Sequence, residues 1–540
     1  MLCVTRALVL VLALAALPAC FANQAAASTS QQAILQDDPQ ILGNPVGTLA
    51  RLRRMGVDTV RVSLFWSSIA PASGSHRRPR RFNATNPAAY PARNWAPYDA
   101  IAKDAQQDGI KVLFSLVGGA PLWATGPGAP RDKAYPEWEP SPREYRSFVR
   151  AVGKRYGGSY KPARSSAPLP RVSSWTIWNE PDYGPSLAPQ GVPGHLTIEN
   201  SPRMYRGLVG AAWSALHATG HGRDMILFGE VADRGVDYWG VFSGMKPLVF
   251  LRALYCVDHS YRELRGKAAA IRGCPTTAAG SRRFRAENPG LFKASGFSDH
   301  PYMRWYPPNR EAHPDPDYST LAELGQTGRA LDRLQGVYHS GKRFPIYDTE
   351  FGYLTSPPKH PTKRLPWLSA RIAPYYLNWA EYLSWRNPRV RSFDQYLLYD
   401  SLPALKSNDY GGFASGLLTY KGKPKPSYAA WVLPLYLPLT TSRSGDRLEV
   451  WGAARPAHFA LTDHGDGAQS VQIQFQPRSG RAFSTLETVP ITNPDGYFDV
   501  RVKFPSGGTV RLAYTYPKGD VLLTPPSQTI YSRHVQVSVH

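Results

Sequence analysis

Cysteine is scarce in this chain, with four in 540 residues. Cys3 and Cys20 lie near the start, which leaves Cys256 and Cys274 for the body of the protein. Acidic residues are also in short supply: 40 Asp and Glu face 63 Lys and Arg, a net charge of +23. Such a surplus attracts polyanions (nucleic acid, anionic lipid or acidic polysaccharide), or it simply aids solubility. Dense Lys/Arg runs, zinc motifs and RNA-binding signatures are missing, so nucleic acid is not an expected partner. No apolar run reaches the ~20 residues of a membrane span. Low-complexity tracts and short repeats are lacking too. What is present is a 42% hydrophobic composition, enough for a large core. The length suits a large catalytic domain plus a second module.

The N-terminus reads as an export signal. Arg6 precedes the apolar run "ALVLVLALAALPA" and the small-residue stretch "ANQAAAS", which places a signal peptide over 1–27 with cleavage near Ala25 to Ala27. "LPAC" also resembles a lipoprotein box, which makes a lipid anchor at Cys20 the alternative. Either route delivers a secreted or cell-surface protein. In that compartment the Cys256 and Cys274 pair suggests a disulfide closing a local loop; two free thiols are the other reading.

From residue 33 onward short β-rich runs alternate with helical patterns. Strands are expected at 33–38, 57–66, 110–118, in "VSSWTIWNE", at 224–231, 296–302, 343–353 and 390–400. "SPREYRSFVRAVGKRYG" starts a helix with Ser141 as cap and Pro142 at its first position, and Ser201–Pro202 repeats that start. Eight strand–helix repeats predict an α/β fold, a (β/α)₈ TIM barrel over 28–440. Beyond it, "RLEVWGAA", "HFALTDH", "SVQIQFQ", "YFDVRVKF" and "VRLAYTY" alternate as short strands. They predict a C-terminal all-β sandwich domain over 441–540.

A barrel of this kind carries its site at the C-terminal ends of the strands. Glu180 ends the fourth strand, Glu350 the seventh, and His300 and Tyr302 follow the sixth; Arg61 lies within the second. Two carboxylates at a barrel mouth suit glycoside hydrolysis, one protonated and one ionised. Arg61 near Glu350 would hold it ionised and Tyr302 could donate to it, whereas Glu180 after two tryptophans would tend to keep its proton. Trp66, Trp123, Trp178 and Trp305 are either core or walls that stack on sugars; Trp66 and Trp123 are expected, with His300, in the substrate-binding set. His217 and His221 have i, i+4 spacing without the intervening Glu of a zinc protease, so no metal is expected.

"WNEP" after a fourth strand and "TEFG" after a seventh resemble the clan A retaining glycoside hydrolases, most closely in family 39-like and family 5-like style. The resemblance covers about residues 33–436. It implies an enzyme that cleaves β-linked O-glycosidic bonds of a carbohydrate, an oligo- or polysaccharide, by double displacement and with no cofactor; the N-terminal signal would export it. Glu350 would be the nucleophile and Glu180 the acid/base. Asn179 would bond the sugar 2-hydroxyl, Tyr302 would contact the nucleophile, and Arg61 matches the clan's strand-two arginine. The chain departs from the clan at strand three, "SLVGGAPLW", and at strand eight, where Asp394, Gln395 and Tyr396 stand instead of a tryptophan. Gln395 joins the substrate-binding set on that basis. The alternative is a catalytically silent carbohydrate-binding or cell-surface protein on the same scaffold. Oligomeric state is not legible.

Overall fold

The computed structural model describes residues 28–540 apart from 164, 312, 356–366, 402–412, 464–466, 519–522 and 524–527. The expected signal segment and Cys20 lie outside the described residues. Strands one to eight are Gln32–Gln36, Thr59–Ser63, Lys111–Leu116, Ser174–Ile177, Met225–Val231, Gly296–Asp299, Ile346–Asp348 and Ser392–Tyr396. They form one parallel sheet, with strand eight beside strand one and the others following in chain order. A parallel bridge between Ile346 and Val390 closes it into a barrel. Strands two to eight fall within their expected segments and strand one begins one residue early, at Gln32; all are shorter than those segments.

The strands are apolar because parallel strands are covered on both faces. In strand two Val60 and Val62 join the hydrophobic core under the helices. Arg61 between them points the other way, into the barrel, as the two-residue period requires. The helices begin where the sequence signals them. Ser141 accepts a hydrogen bond from the Glu144 N–H at 3.4 Å, and Pro142 opens the helix Pro142–Arg155. The second Ser-Pro start differs. The helix Ser201–His217 has Asn200 at its cap position, and the Ser201 hydroxyl donates to Gln190 Oε1 instead. Cys256 and Cys274 form a disulfide. Among the described residues no helix is long and apolar enough to cross a membrane.

The C-terminal region holds two sheets. Leu435–Tyr436, Arg447–Ala453 and Tyr497–Lys503 make one. The other is built on Val535–Val539, Gly508–Thr515, Gln469–Pro477 and Ser484–Ile491. Leu448, Val450 and Val502 of the first share a core with Val471, Ile473 and Leu512 of the second. Leu435–Tyr436 thus enters the sheet a few residues before the expected boundary. One expected strand is wrong: His458–Asp463 of "HFALTDH" lie in a helix, Ala457–Asp463, and His464 is outside the described residues. Pro456 precedes the helix and two alanines favour it, while Phe459 is buried beneath the Arg53 guanidinium, 4.2 Å from the ring centroid.

This region closes the barrel's N-terminal face. Arg455 is fully buried, pairs with Glu381 and donates to the Trp431 carbonyl at 2.6 Å. The Tyr497 hydroxyl donates to the same carboxylate at 2.8 Å and accepts from Gln31, next to strand one. At Gly56, ahead of strand two, φ is +78° and a Cβ would lie 2.2 Å from the Arg455 backbone. Only glycine allows so close an approach in that conformation.

Candidate active site

At the other face, strand four ends at Ile177 and the backbone turns sharply. Trp178 and Glu180 both take left-handed conformations, with φ of +68° and +38°. Such angles are rare for bulky residues and mark a locally over-determined backbone. Packing supplies the constraint. Trp178 is fully buried, donates to the Ser186 carbonyl at 3.1 Å and lies where a Cβ on Gly118 would be 2.2 Å away. The Glu180 N–H donates to the Glu230 carbonyl at 2.9 Å.

Arg61 is the hub beneath. It donates to both oxygens of Glu230, at 2.9 and 2.8 Å, to Glu350 Oε1 at 2.8 Å and to Asn179 Oδ1 at 2.9 Å. Gln36 also accepts from it. The Tyr302 hydroxyl donates to Glu350 Oε2 at 3.1 Å. His300 is fully buried, with Nδ1 3.1 Å from Glu180 Oε1 and 3.7 Å from Glu350 Oε2. An oxygen of Glu180, an oxygen of Glu350 and a His300 nitrogen all lie within 4.8 Å of one another. The Glu180 side chain is 20% exposed and that of Glu350 12%.

The electrostatics follow from burial against charge. Burial lowers the His300 pKa, but the Glu350 and Glu180 carboxylates outweigh it and raise it to about 9. The imidazole therefore carries its proton at neutral pH, between two carboxyl groups. Burial raises Glu350, and the His300 and Arg61 cations pull it only part of the way back, so its carboxyl stays above the usual range and Arg61 does not lower it as expected. Burial also lifts the Tyr302 phenol well above its usual range, so it stays a donor. The Glu180–His300–Glu350 cluster has the donors of a metal site. However, a proton on His300 and the Arg61 pair on Glu350 would compete with any cation for them.

Among the sequence-expected residues, Glu180, Glu350, Asn179, Arg61, His300 and Tyr302 come together here. Trp66, Trp123 and Gln395 do not. Trp66 is fully buried in an aromatic cluster, stacked on Phe148 at 5.7 Å, and has no surface to offer a sugar. Trp123 meets it edge-on at 6.3 Å, donates to the Pro71 carbonyl and stays outside the cavity lining. Gln395 spends its amide on the carbonyls of Leu397 and Ser415, at 3.2 and 2.8 Å, bracing the chain after strand eight. Asp394 beside it is buried, and burial raises its carboxyl well above the usual range. His221 is taken up by Asp224 at 2.6 Å and the Gly153 carbonyl at 2.9 Å.

Sequence reasoning missed Glu230. It sits where the register between strands five and six shifts, with φ of +47°, and Gly229 before it has φ of +118°. The bulge brings a fully buried carboxylate onto Arg61. The signal was available, since "FGEV" ends an apolar strand in an acid just as strands four and seven do. A cavity of about 730 Å³ opens beside Glu180, lined also by Tyr183, Asp233, Arg234, Tyr302, Arg304, Tyr318 and Phe413.

No protein-family model and no curated protein sequence matches the chain. Solved structures do. A family 39 glycoside hydrolase from the gut symbiont Bacteroides cellulosilyticus WH2 is 15% identical, covering 88% of this chain and 79% of its own, with a TM-score of 0.45. A family 1 β-glucosidase from Thermotoga maritima is 15% identical over 72% of this chain and 85% of its own, TM-score 0.43. A glucosidase from Croceicoccus marinus is 13% identical over 96% and 94%, TM-score 0.43. Scores and identities this low add no weight to the strand order and register, which establish the barrel by themselves.

Proposed function

We propose that this protein is an exported retaining glycoside hydrolase acting on a β-linked oligo- or polysaccharide. The observation that carries the reading is the approach of Glu180 and Glu350, oxygen to oxygen within 4.8 Å, at the mouth of the barrel. Retaining enzymes hold their carboxyl groups about 5–5.5 Å apart, whereas inverting ones leave about 6.5–9.5 Å for a water. The motif resemblance to clan A points the same way. Export is supported by the N-terminal pattern and by the disulfide, which suits an oxidising compartment.

In this reading Glu350 attacks the anomeric carbon while Glu180 gives its proton to the leaving oxygen. The glycosidic C–O bond breaks as a C–O bond to Glu350 forms. Glu180, now ionised, takes a proton from water, and the water oxygen displaces Glu350. Arg61 and Tyr302 hold the two oxygens of Glu350, fixing its direction of attack. Asn179 has its oxygen occupied by Arg61, which leaves its amide N–H groups for the sugar 2-hydroxyl.

The test is a polysaccharide panel with wild type, Glu180→Ala and Glu350→Ala, products followed by proton NMR. Wild type is expected to release the retained anomer first. On an aryl glycoside whose leaving group needs no protonation, azide is expected to give the retained glycosyl azide with Glu180→Ala, because it needs no general base, and the inverted one with Glu350→Ala, where it takes the place of the nucleophile. Turnover in Glu350→Ala at the wild-type rate would refute the nucleophile assignment. A wild type that binds sugars and cleaves none would establish the silent binding protein instead.

A further inference from the structure

The cavity beside Glu180 carries two arginines with different surroundings. Arg234 is neutralised: it pairs with Asp233 and Glu311 and donates to the Tyr302 carbonyl at 3.0 Å. Arg304 is not. It is exposed, lines the cavity, and has no ion pair or hydrogen bond among the described residues. Its backbone is left-handed, φ +57°, two residues beyond the Tyr302 that contacts Glu350. A buried residue, Met303, separates the two, so the chain that positions Tyr302 also positions Arg304.

A guanidinium unpaired among the described residues, on the wall of a site built from carboxylates, is placed to take an anion. Glu180 is already engaged by His300 and Glu350 by Arg61, Tyr302 and His300. Asp233 is taken by Arg234. A sugar bearing an anion would suffer repulsion beside the two glutamates. Set against Arg304 instead, it would gain a charge-assisted, bidentate contact. The surface charge of +23 would draw such a polymer toward the site. We infer that the substrate is an anionic glycan, whose carboxylate or sulfate is bound by Arg304 in a subsite adjoining the cleaved bond. This deepens the glycosidase reading and rests on it.

The experiment uses matched pairs of β-linked polymers: glucuronan and polymannuronate against their carboxyl-reduced forms, and a sulfated β-glycan against its desulfated form. Binding is measured by affinity electrophoresis and hydrolysis by released reducing ends. The proteins are wild type, Arg304→Gln, Arg304→Lys and Arg310→Gln. Arg310 is an exposed arginine of the same loop that does not line the cavity, so its substitution removes an equal charge elsewhere.

At least one acidic member is expected to be bound and cleaved about tenfold better than its neutral counterpart. That preference should collapse in Arg304→Gln, survive in part in Arg304→Lys, persist in Arg310→Gln and weaken with added salt. Which pair responds tells carboxylate from sulfate. Equal handling of every pair, or the same loss in Arg310→Gln, overturns the inference. If neutral glycans are cleaved and Arg304→Gln is silent, the glycosidase reading survives alone. If acidic glycans bind through Arg304 and none is cleaved, the anion site survives and the glycosidase reading falls.

Discussion

An arginine–glutamate pair is buried at each end of the barrel. At the lower end Arg455 and Glu381 are both fully buried, with Tyr497 and the Trp431 carbonyl packed around them and the β-sheets as a cover. At the upper end Arg61 is as deeply buried, but it serves Glu230 and Glu350 together, and Glu350 keeps some exposure. The same ion pair thus does different work in different company. Below, Arg455 and Tyr497 share one oxygen of the carboxylate and the result is cohesion between two regions. Above, a second carboxyl group and a protonated imidazole crowd the first, and a cavity opens beside them. Crowding like charges is costly for stability, and burial together with the neighbouring carboxyl groups pushes Glu350 upward.

Substitutions at the two ends should therefore fail in different ways. The largest effect is expected for Glu350→Gln, a fall in kcat/KM on the order of 10⁴-fold or more with the melting temperature held. A matching loss of fold would mean that Glu350 is a structural partner of Arg61. Glu381→Gln should do the opposite: about 3–5 kcal/mol of stability lost in urea denaturation, because Arg455 is left buried and unpaired, with kcat in the surviving enzyme unchanged.

The third test is pH. A His300 pKa raised from 6.5 to about 9 corresponds to about 3 kcal/mol of stability. That stability is fully present below pH 6.5 and is lost as pH rises through 9. Thermal melts from pH 6 to 10 should show it, together with a basic limb of kcat/KM near 9. Both should be absent in His300→Gln, and a basic limb that persists there belongs to another group. Next, Gly56→Ala should cost about 2 kcal/mol through its left-handed backbone and the Arg455 contact, leaving activity intact. The smallest change concerns Trp123→Phe. Outside the cavity lining, it should shift KM less than about twofold, and a larger shift would return Trp123 to the sugar-binding set.

Much of this site was legible because barrels expose strand ends. An apolar, β-prone run that stops in a carboxylate is a readable sign, and Glu180 and Glu350 carry it. Arg61 was readable as a lone charge inside such a run. Trp66 was misread because a tryptophan after a strand looks alike whether it faces a cavity or the helix layer. The helix Ala457–Asp463 was misread because a seven-residue segment holds too few periods to separate a helix from a strand.

By itself the sequence determined the eight-strand order, the export pattern, the cysteine pair and the placing of two glutamates at strand ends. All of these follow from local pattern or from a period along the chain. Tertiary structure alone decided that Glu230 turns inward at a bulge, that Arg61 holds two carboxylates, that the β-sheets seal the lower face, and that Arg304 lines the cavity without a partner among the described residues. Those are contacts between residues far apart in the chain. Their energies depend on which neighbours burial leaves without water, a quantity with no local signature in the sequence.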